Sequence, residues 1–187
     1  IRGQKPGLKN SIDIAAKAGY DSLELWVMDV KAYKDEGNSM PALKKFINDS
    51  KVSIDDAIGF APWMVEDDTQ RQKGFEQMKA EMELMAEIGC TRIAAPAAGV
   101  KPDVPLNLFK VGERYKMLLE LGRQTGVMPQ LEFWGPSPVF YHFGQALIDP
   151  GLLCGETYRN NAVGLQMGAD LLEALDGIHK RIQPNDG

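Results

Sequence analysis

The chain has 187 residues, 44% hydrophobic and 25% charged, the composition of one globular domain with a sizeable core. A net charge of −5 and a pI near 5.1 argue against a broad nucleic-acid or anionic-membrane surface. No apolar run approaches the ~18–20 residues that span a bilayer. No charged stretch followed by an apolar one marks a signal peptide. Cys90 and Cys154 lack motif spacing and read as reduced thiols of a cytoplasmic protein.

SIDIAAKAG (11–19) predicts a helix, with Ile12, Ala15 and Ala16 apolar and Gly19 as its stop. YDSLELWV (20–27) is β-rich and largely apolar, a strand. MPALKKFINDS (40–50) places Leu43, Phe46 and Ile47 at helical spacing behind Pro41. VSIDDAIGF (52–60) predicts a strand that ends near Gly59 before APWM. The run from Glu66 to Gly89 predicts the longest helix, with acids in its first turn and a Phe75, Met78, Met82, Met85 stripe. TRIAAPAAG (91–99) is a short strand and a loop of small residues. Asn107 to Thr125 is helical, with Val111, Tyr115, Leu118 and Leu119 inward and Gly126 closing it. MPQLEFWG is the next strand, and after about residue 148 the alternation fails apart from one helix near 162–178. Strands alternating with amphipathic helices indicate a parallel sheet with crossover helices, and such sheets build sites at the carboxyl ends of their strands. No Gly-x-Gly-x-x-Gly or Walker pattern follows a strand.

QLEFWG (130–135) sets one acid, Glu132, among apolar neighbours near a strand end. Burying a lone carboxylate costs several kcal/mol unless a partner compensates, so Glu132 either meets a cation or sits where the strand opens into a site. Glu24, inside SLELW, poses the same question on the first strand: a substrate-binding acid at the mouth, or a structural ion pair. Trp26, Trp63 and Trp134 each stand at a strand end or in the loop after it. Aromatic walls for a ligand would explain all three, and so would core packing. His142 and His179 read as structural or solvent-facing, and Glu66-Asp67-Asp68 as a helix N-terminus, not a metal cluster.

Four pieces in order, IRGQKPGLKNSIDIAAKAGYDSLELW, GFAPWM followed by DD-x-x-R, MELMAEIGCTRIAAPAAG, and ERYKMLLELGRQTGVMPQLEFWG, closely resemble the xylose isomerase-like TIM-barrel superfamily of sugar phosphate isomerases and epimerases. The resemblance covers residues 1–147 and implies an α/β fold, a (β/α)8 TIM barrel that is incomplete or has residues missing from this sequence, read as a single domain over 1–187. The four predicted strands then correspond to barrel strands two to five. In the family, strand five ends in a glutamate that binds a divalent metal, which makes Glu132 that ligand and a catalytic residue by resemblance. Glu156, before the helix near 162–178, is the best match to the ligand on strand eight. The family's Asp on strand six and His on strand seven have no counterpart in this sequence, and Asp149 follows Glu132 too closely to serve.

The implied cofactor is Mn, Mg or Zn, polarising a carbonyl beside the proton to be moved. The implied activity is isomerisation or epimerisation of a small sugar, sugar phosphate or polyol, with Glu24, Trp26, Trp63 and Trp134 toward the substrate. A carbohydrate is the expected partner, with no nucleic acid and no membrane, and with a homo-oligomer left open. A non-catalytic barrel remnant without a complete metal site is the alternative. An endonuclease-IV-like DNA-repair activity, which needs a histidine-rich zinc site and a basic face, is disfavoured by two histidines and the acidic charge.

Overall fold

A computed structural model of the chain describes residues 6–133 and 139–140. The chain divides into two units, Ile1–Gly151 and Leu152–Gly187, and every described residue lies in the first. The elements run α1 (Leu8–Ala18), β1 (Ser22–Trp26), α2 (Val27–Asp35), α3 (Met40–Ser50), β2 (Ser53–Ile58), α4 (Asp68–Ile88), β3 (Arg92–Ala95), α5 (Leu108–Thr125) and β4 (Met128–Leu131). Helix starts are fixed by side-chain caps where the sequence offers them: Ser39, Asp67 and Asn107 each accept from backbone N–H groups of the first turn. Gly19, Gly89 and Gly126 close their helices with φ near +80°, a conformation that glycine adopts without strain.

The four strands form one sheet in the order β1-β2-β3-β4, and every neighbouring pair is parallel. The expected strands 20–27 and 52–59 therefore pair in parallel, with Leu25 opposite Ala57 and Trp26 opposite Ile58. A bulge between Leu23 and Glu24 lets Asp55 stand out of register, so that Glu24 lies opposite Asp56. Strand order follows chain order without a reversal, which is the winding of a barrel and not of a doubly wound sheet.

Two expectations need correction. The strands are shorter than the apolar runs suggest, β1 stopping at Trp26 and β4 at Leu131. Val27, read as the end of a strand, is the first residue of α2, a helix the sequence pattern does not announce. Its reason is local: VMDVKAYKD buries only Val27 and Val30, and no turn residue separates it from β1.

The core lies between the sheet and its helices. Met78, Met82 and Met85 of α4 are fully buried, as are Leu43 of α3, Ile93 of β3 and Leu118 of α5. Val111, Tyr115 and Leu119 are inward as the spacing predicts. Gly74 is a contact point between α4 and the loop after β2, because an added Cβ would lie 2.6 Å from the backbone of Pro62.

Candidate functional site

Side chains alternate across the sheet. Leu25, Ala57 and Ile93 are buried against the helices, which puts Glu24, Asp56, Ala94 and Gln130 on the opposite face. There Glu24, Asp56, Ala94, Gln130 and Glu132 line a cavity of about 240 Å³ near the carboxyl end of β4. Glu132 follows β4, and its backbone N–H donates to Ala95 at 3.4 Å, extending the pairing one step beyond the strand. One oxygen, Oε2, is buried and has no hydrogen-bond partner among the described residues. A carboxylate oxygen is a strong acceptor, so leaving one dry and unused is costly.

Three acids share this face, and each is shifted upward. Burial raises the Glu132 carboxyl, and the negative charge of Asp56 adds to it. Burial likewise raises Glu24, with the charge of Glu132 behind it. Asp56 is pushed up to about 6, chiefly by burial and further by Glu24, although it accepts a 2.8 Å hydrogen bond from the Ala57 N–H. Like charges on a half-buried face each favour the neutral form of the others.

The end of β4 is held in place by α5. The buried Tyr115 hydroxyl donates to the Pro129 carbonyl at 2.8 Å and accepts from the Leu131 N–H at 3.1 Å. Burial pushes that phenol up to about 12, so it stays a neutral donor. This hydroxyl bridges Pro129 and Leu131, just ahead of Glu132 on the edge of the described sheet, where no further described strand takes their hydrogen bonds. The loop after β2 is held by two arginines. Arg114 reaches Met64 O at 2.7 Å and both oxygens of Glu66 at 3.0 Å, and Arg71 donates to the carbonyls of Val65 and Glu66. That accounts for the DD-x-x-R motif: Asp67 caps α4, and Arg71, paired with Asp68, clamps the loop ahead of it.

The tryptophans separate. Trp26 stands half exposed at the end of β1, 5.4 Å from the ring of Phe60, itself exposed after β2. Trp63 has no exposed surface; its indole donates to Pro96 O at 3.1 Å and packs on Tyr115, so core packing accounts for it. Trp134 and Glu156 lie outside the described residues, as do His142 and His179. Sequence reasoning missed Asp56 and Phe60. The alternation within SIDDAI contains the signal for Asp56, but the Asp55-Asp56 pair hides which acid faces inward until the bulge is seen. Among the described residues no group of three or more His, Cys, Asp or Glu side chains is arranged to hold a metal ion. The unpartnered Glu132 oxygen fits a hard cation as one donor, and the described residues offer no complete set.

Residues 12–149 match the model of the xylose isomerase-like TIM barrel family. The chain belongs to that family. Among solved structures it is similar to D-psicose 3-epimerase determined in the presence of D-fructose (14% identity, TM-score 0.63), matching over 78% of this chain and 53% of that one. It is similar to the IolI protein determined with a zinc atom (21%, TM-score 0.64; 75% and 52%). A third is 3-keto-D-glucoside 4-epimerase, YcjR, from E. coli (20%, TM-score 0.57; 71% and 53%). The chain thus spans about half the length of these structures. At these identities the likeness shows the fold: a parallel α/β TIM barrel, of which the described residues make a part. No curated protein matches the sequence. No helix among the described residues is long and apolar enough to cross a membrane.

Proposed function

We propose that the chain belongs to a divalent-metal-dependent isomerase or epimerase acting on a small sugar, sugar phosphate or polyol, with Glu132 as one metal ligand. The observation that carries the reading is the buried Oε2 of Glu132, without a partner among the described residues, at the carboxyl end of a barrel strand, where this fold builds its sites. The epimerase names of two similar structures and the zinc atom of a third support the same class. Mn, Mg or Zn, when bound, would supply Lewis-acid polarisation of a sugar carbonyl.

The chain's own residues do the rest. Glu132 holds its oxygen toward the cavity, kept there by the Tyr115 bridge beneath it. Asp56, with a pKa of about 6, can hold or release a proton near neutral pH, as proton transfer beside a carbonyl demands. Glu24 faces the same cavity and can accept hydrogen bonds from sugar hydroxyls. Trp26, beside Phe60, offers an exposed aromatic surface to a sugar face. Trp134 as a second aromatic wall and Glu156 as a further carboxylate ligand complete the proposal from outside the described residues.

Calorimetric titration of Mn²⁺ into the wild-type chain and Glu132→Gln tests it, alongside carbon-bound hydrogen exchange of ketohexoses in D₂O. The expected result is saturable binding and exchange by the wild type, with both lost in Glu132→Gln. Identical Mn²⁺ binding by the two proteins would show Glu132 to be only a structural acid. Binding without exchange would favour the non-catalytic remnant.

A further inference from the structure

At the amino ends of the strands, opposite the end that carries Glu132, a second cavity of about 460 Å³ opens. It lies between the last turns of α3 and α4 and the first residues of β2 and β3. Its floor is aliphatic, formed by the buried Ile47, Ile54 and Ile88. Its rim carries two cations, Lys44 and Arg92.

Neither cation makes a side-chain hydrogen bond among the described residues, and Arg92 has one loose ion pair there. Arg92 has Asp55 as its nearest anion at 3.9 Å, beyond hydrogen-bond distance, and its guanidinium makes no hydrogen bond among the described residues. Asp55 is engaged elsewhere: it accepts from the Ser53 hydroxyl at 2.6 Å, a bond that holds its carboxyl below the usual carboxylate range. Lys44 lies over Gly89 at the end of α4, where its ammonium would neighbour the helix carbonyls. Two of those carbonyls are already taken, since Gly89 N–H donates to Ala86 O and Cys90 N–H to Met85 O. Lys44 forms no ion pair or hydrogen bond among the described residues. Two cations against the single charge of Asp55 leave the cavity net positive in a chain of net charge −5.

Five guanidinium donors and three ammonium donors facing an open, apolar-floored cavity suit an oxyanion attached to a compact apolar or neutral body. The volume is that of a small-molecule pocket. We propose that this cavity binds a small phosphomonoester, its phosphoryl group held by Lys44 and Arg92 and its organic part resting on the isoleucine floor. Asn48 and Thr91 on the same rim add neutral hydrogen-bonding groups. The site is separate from the Glu132 end and does not depend on the function proposed for it. Occupancy would tie α3, α4, β2 and β3 together and raise the melting temperature with the logarithm of ligand concentration over Kd.

The test is titration of the chain in metal-free, EDTA-containing buffer with inorganic phosphate, phenyl phosphate and benzoate. It is followed by the amide signals of Gly89 and Thr91 and by thermal melting. The expected result is saturable shifts at those amides, with phenyl phosphate tighter than both of the others. Lys44→Met should weaken phenyl phosphate at least about tenfold, the scale of one charge-assisted hydrogen bond. Arg92→Lys, which keeps the charge and loses the fork, should weaken it as well. Lys79→Ala, a surface cation away from the cavity, should leave affinity unchanged. Benzoate binding as tightly as phenyl phosphate would overturn the phosphoryl selectivity. Non-saturating shifts, or unchanged binding by a folded Lys44→Met chain, would overturn the site.

Discussion

The two faces of the sheet obey different rules. On the helix-covered face, Leu25 lies opposite Ala57 and Ile93 opposite Pro129, all buried, and the polar groups among them are used. Trp63 spends its N–H on Pro96, Tyr115 uses its hydroxyl twice, and the buried Arg114 is bonded to a carbonyl and a carboxylate. On the other face, Glu24 lies opposite Asp56, Glu132 stands at the end of β4 with a buried oxygen that has no partner among the described residues, and all three acids are shifted upward. One face spends its interactions on stability. The other holds unmet electrostatic demand, which a cation or a polar ligand would relieve. Glu81 is the exception on the helix side: its Oε2 is buried without a partner among the described residues where α4 crosses Gly59, and burial raises its carboxyl.

The largest effect that would sharpen the contrast is a cavity on the stabilising face. Met85 is fully buried on α4, so Met85→Ala should cost about 2–5 kcal/mol in chemical denaturation. Lys79 on the outer surface of the same helix makes only a loose 3.9 Å pair with Glu83, and Lys79→Ala should cost under about 0.5 kcal/mol. Equal denaturation midpoints for the two variants would show that the division into faces is wrong.

Gly74 offers a finer break on the same side. Glycine inside an exposed helix is weaker than alanine by about 1 kcal/mol, so Gly74→Ala would ordinarily stabilise. Here the new Cβ would sit 2.6 Å from the Pro62 carbonyl carbon and oxygen and 2.8 Å from the Trp63 nitrogen. These are backbone atoms in a loop pinned by Arg71 and Arg114, and they have little freedom to retreat. Steric cost wins, and Gly74→Ala should lose about 1–3 kcal/mol. A rise in melting temperature would mean that the loop yields and that its clamps are looser than their hydrogen bonds suggest.

The stabilising face was the legible one. The Met78, Met82, Met85 stripe repeats with the helix period, caps and glycine stops mark the ends, and alternation of strand and helix implies a parallel sheet, so hydrophobic spacing alone was enough. What failed there was α2, whose two buried valines give no period to detect. The site face was legible only in part. Glu132 stands out because it interrupts an apolar strand, and Glu24 for the same reason. Asp56 did not stand out, because its facing is set by the bulge opposite Leu23 and Glu24, a property of two strands together. The fate of the tryptophans was equally hidden: Trp26 and Trp63 both follow strands, and only packing separates the half-exposed ring from the buried one.

The smallest effect tests the unmet demand itself, through Asp56. Its folded-state pKa, about 6, lies above the unfolded value near ~3.9, so the native state favours the protonated form. The sign follows from linkage: the stability this group contributes is complete below the unfolded pKa and is lost as pH rises through about 6. Asp56→Asn keeps an oxygen for the Ala57 N–H and never ionises, so it should match the wild type near pH 4 and melt higher at pH 7.5. The gain should be roughly 1 kcal/mol or less, below the ~1.4 kcal/mol expected per pKa unit, because the side chain is half open to screening water. Removing the Asp56 charge also removes one of the two causes that raise Glu132, so Glu132 should titrate closer to an ordinary carboxylate in the variant, a shift that carboxyl NMR resolves. If the melting difference were the same at pH 4 and pH 7.5, Asp56 would be a plain polar residue, and the acids of this face would not be pressing on one another.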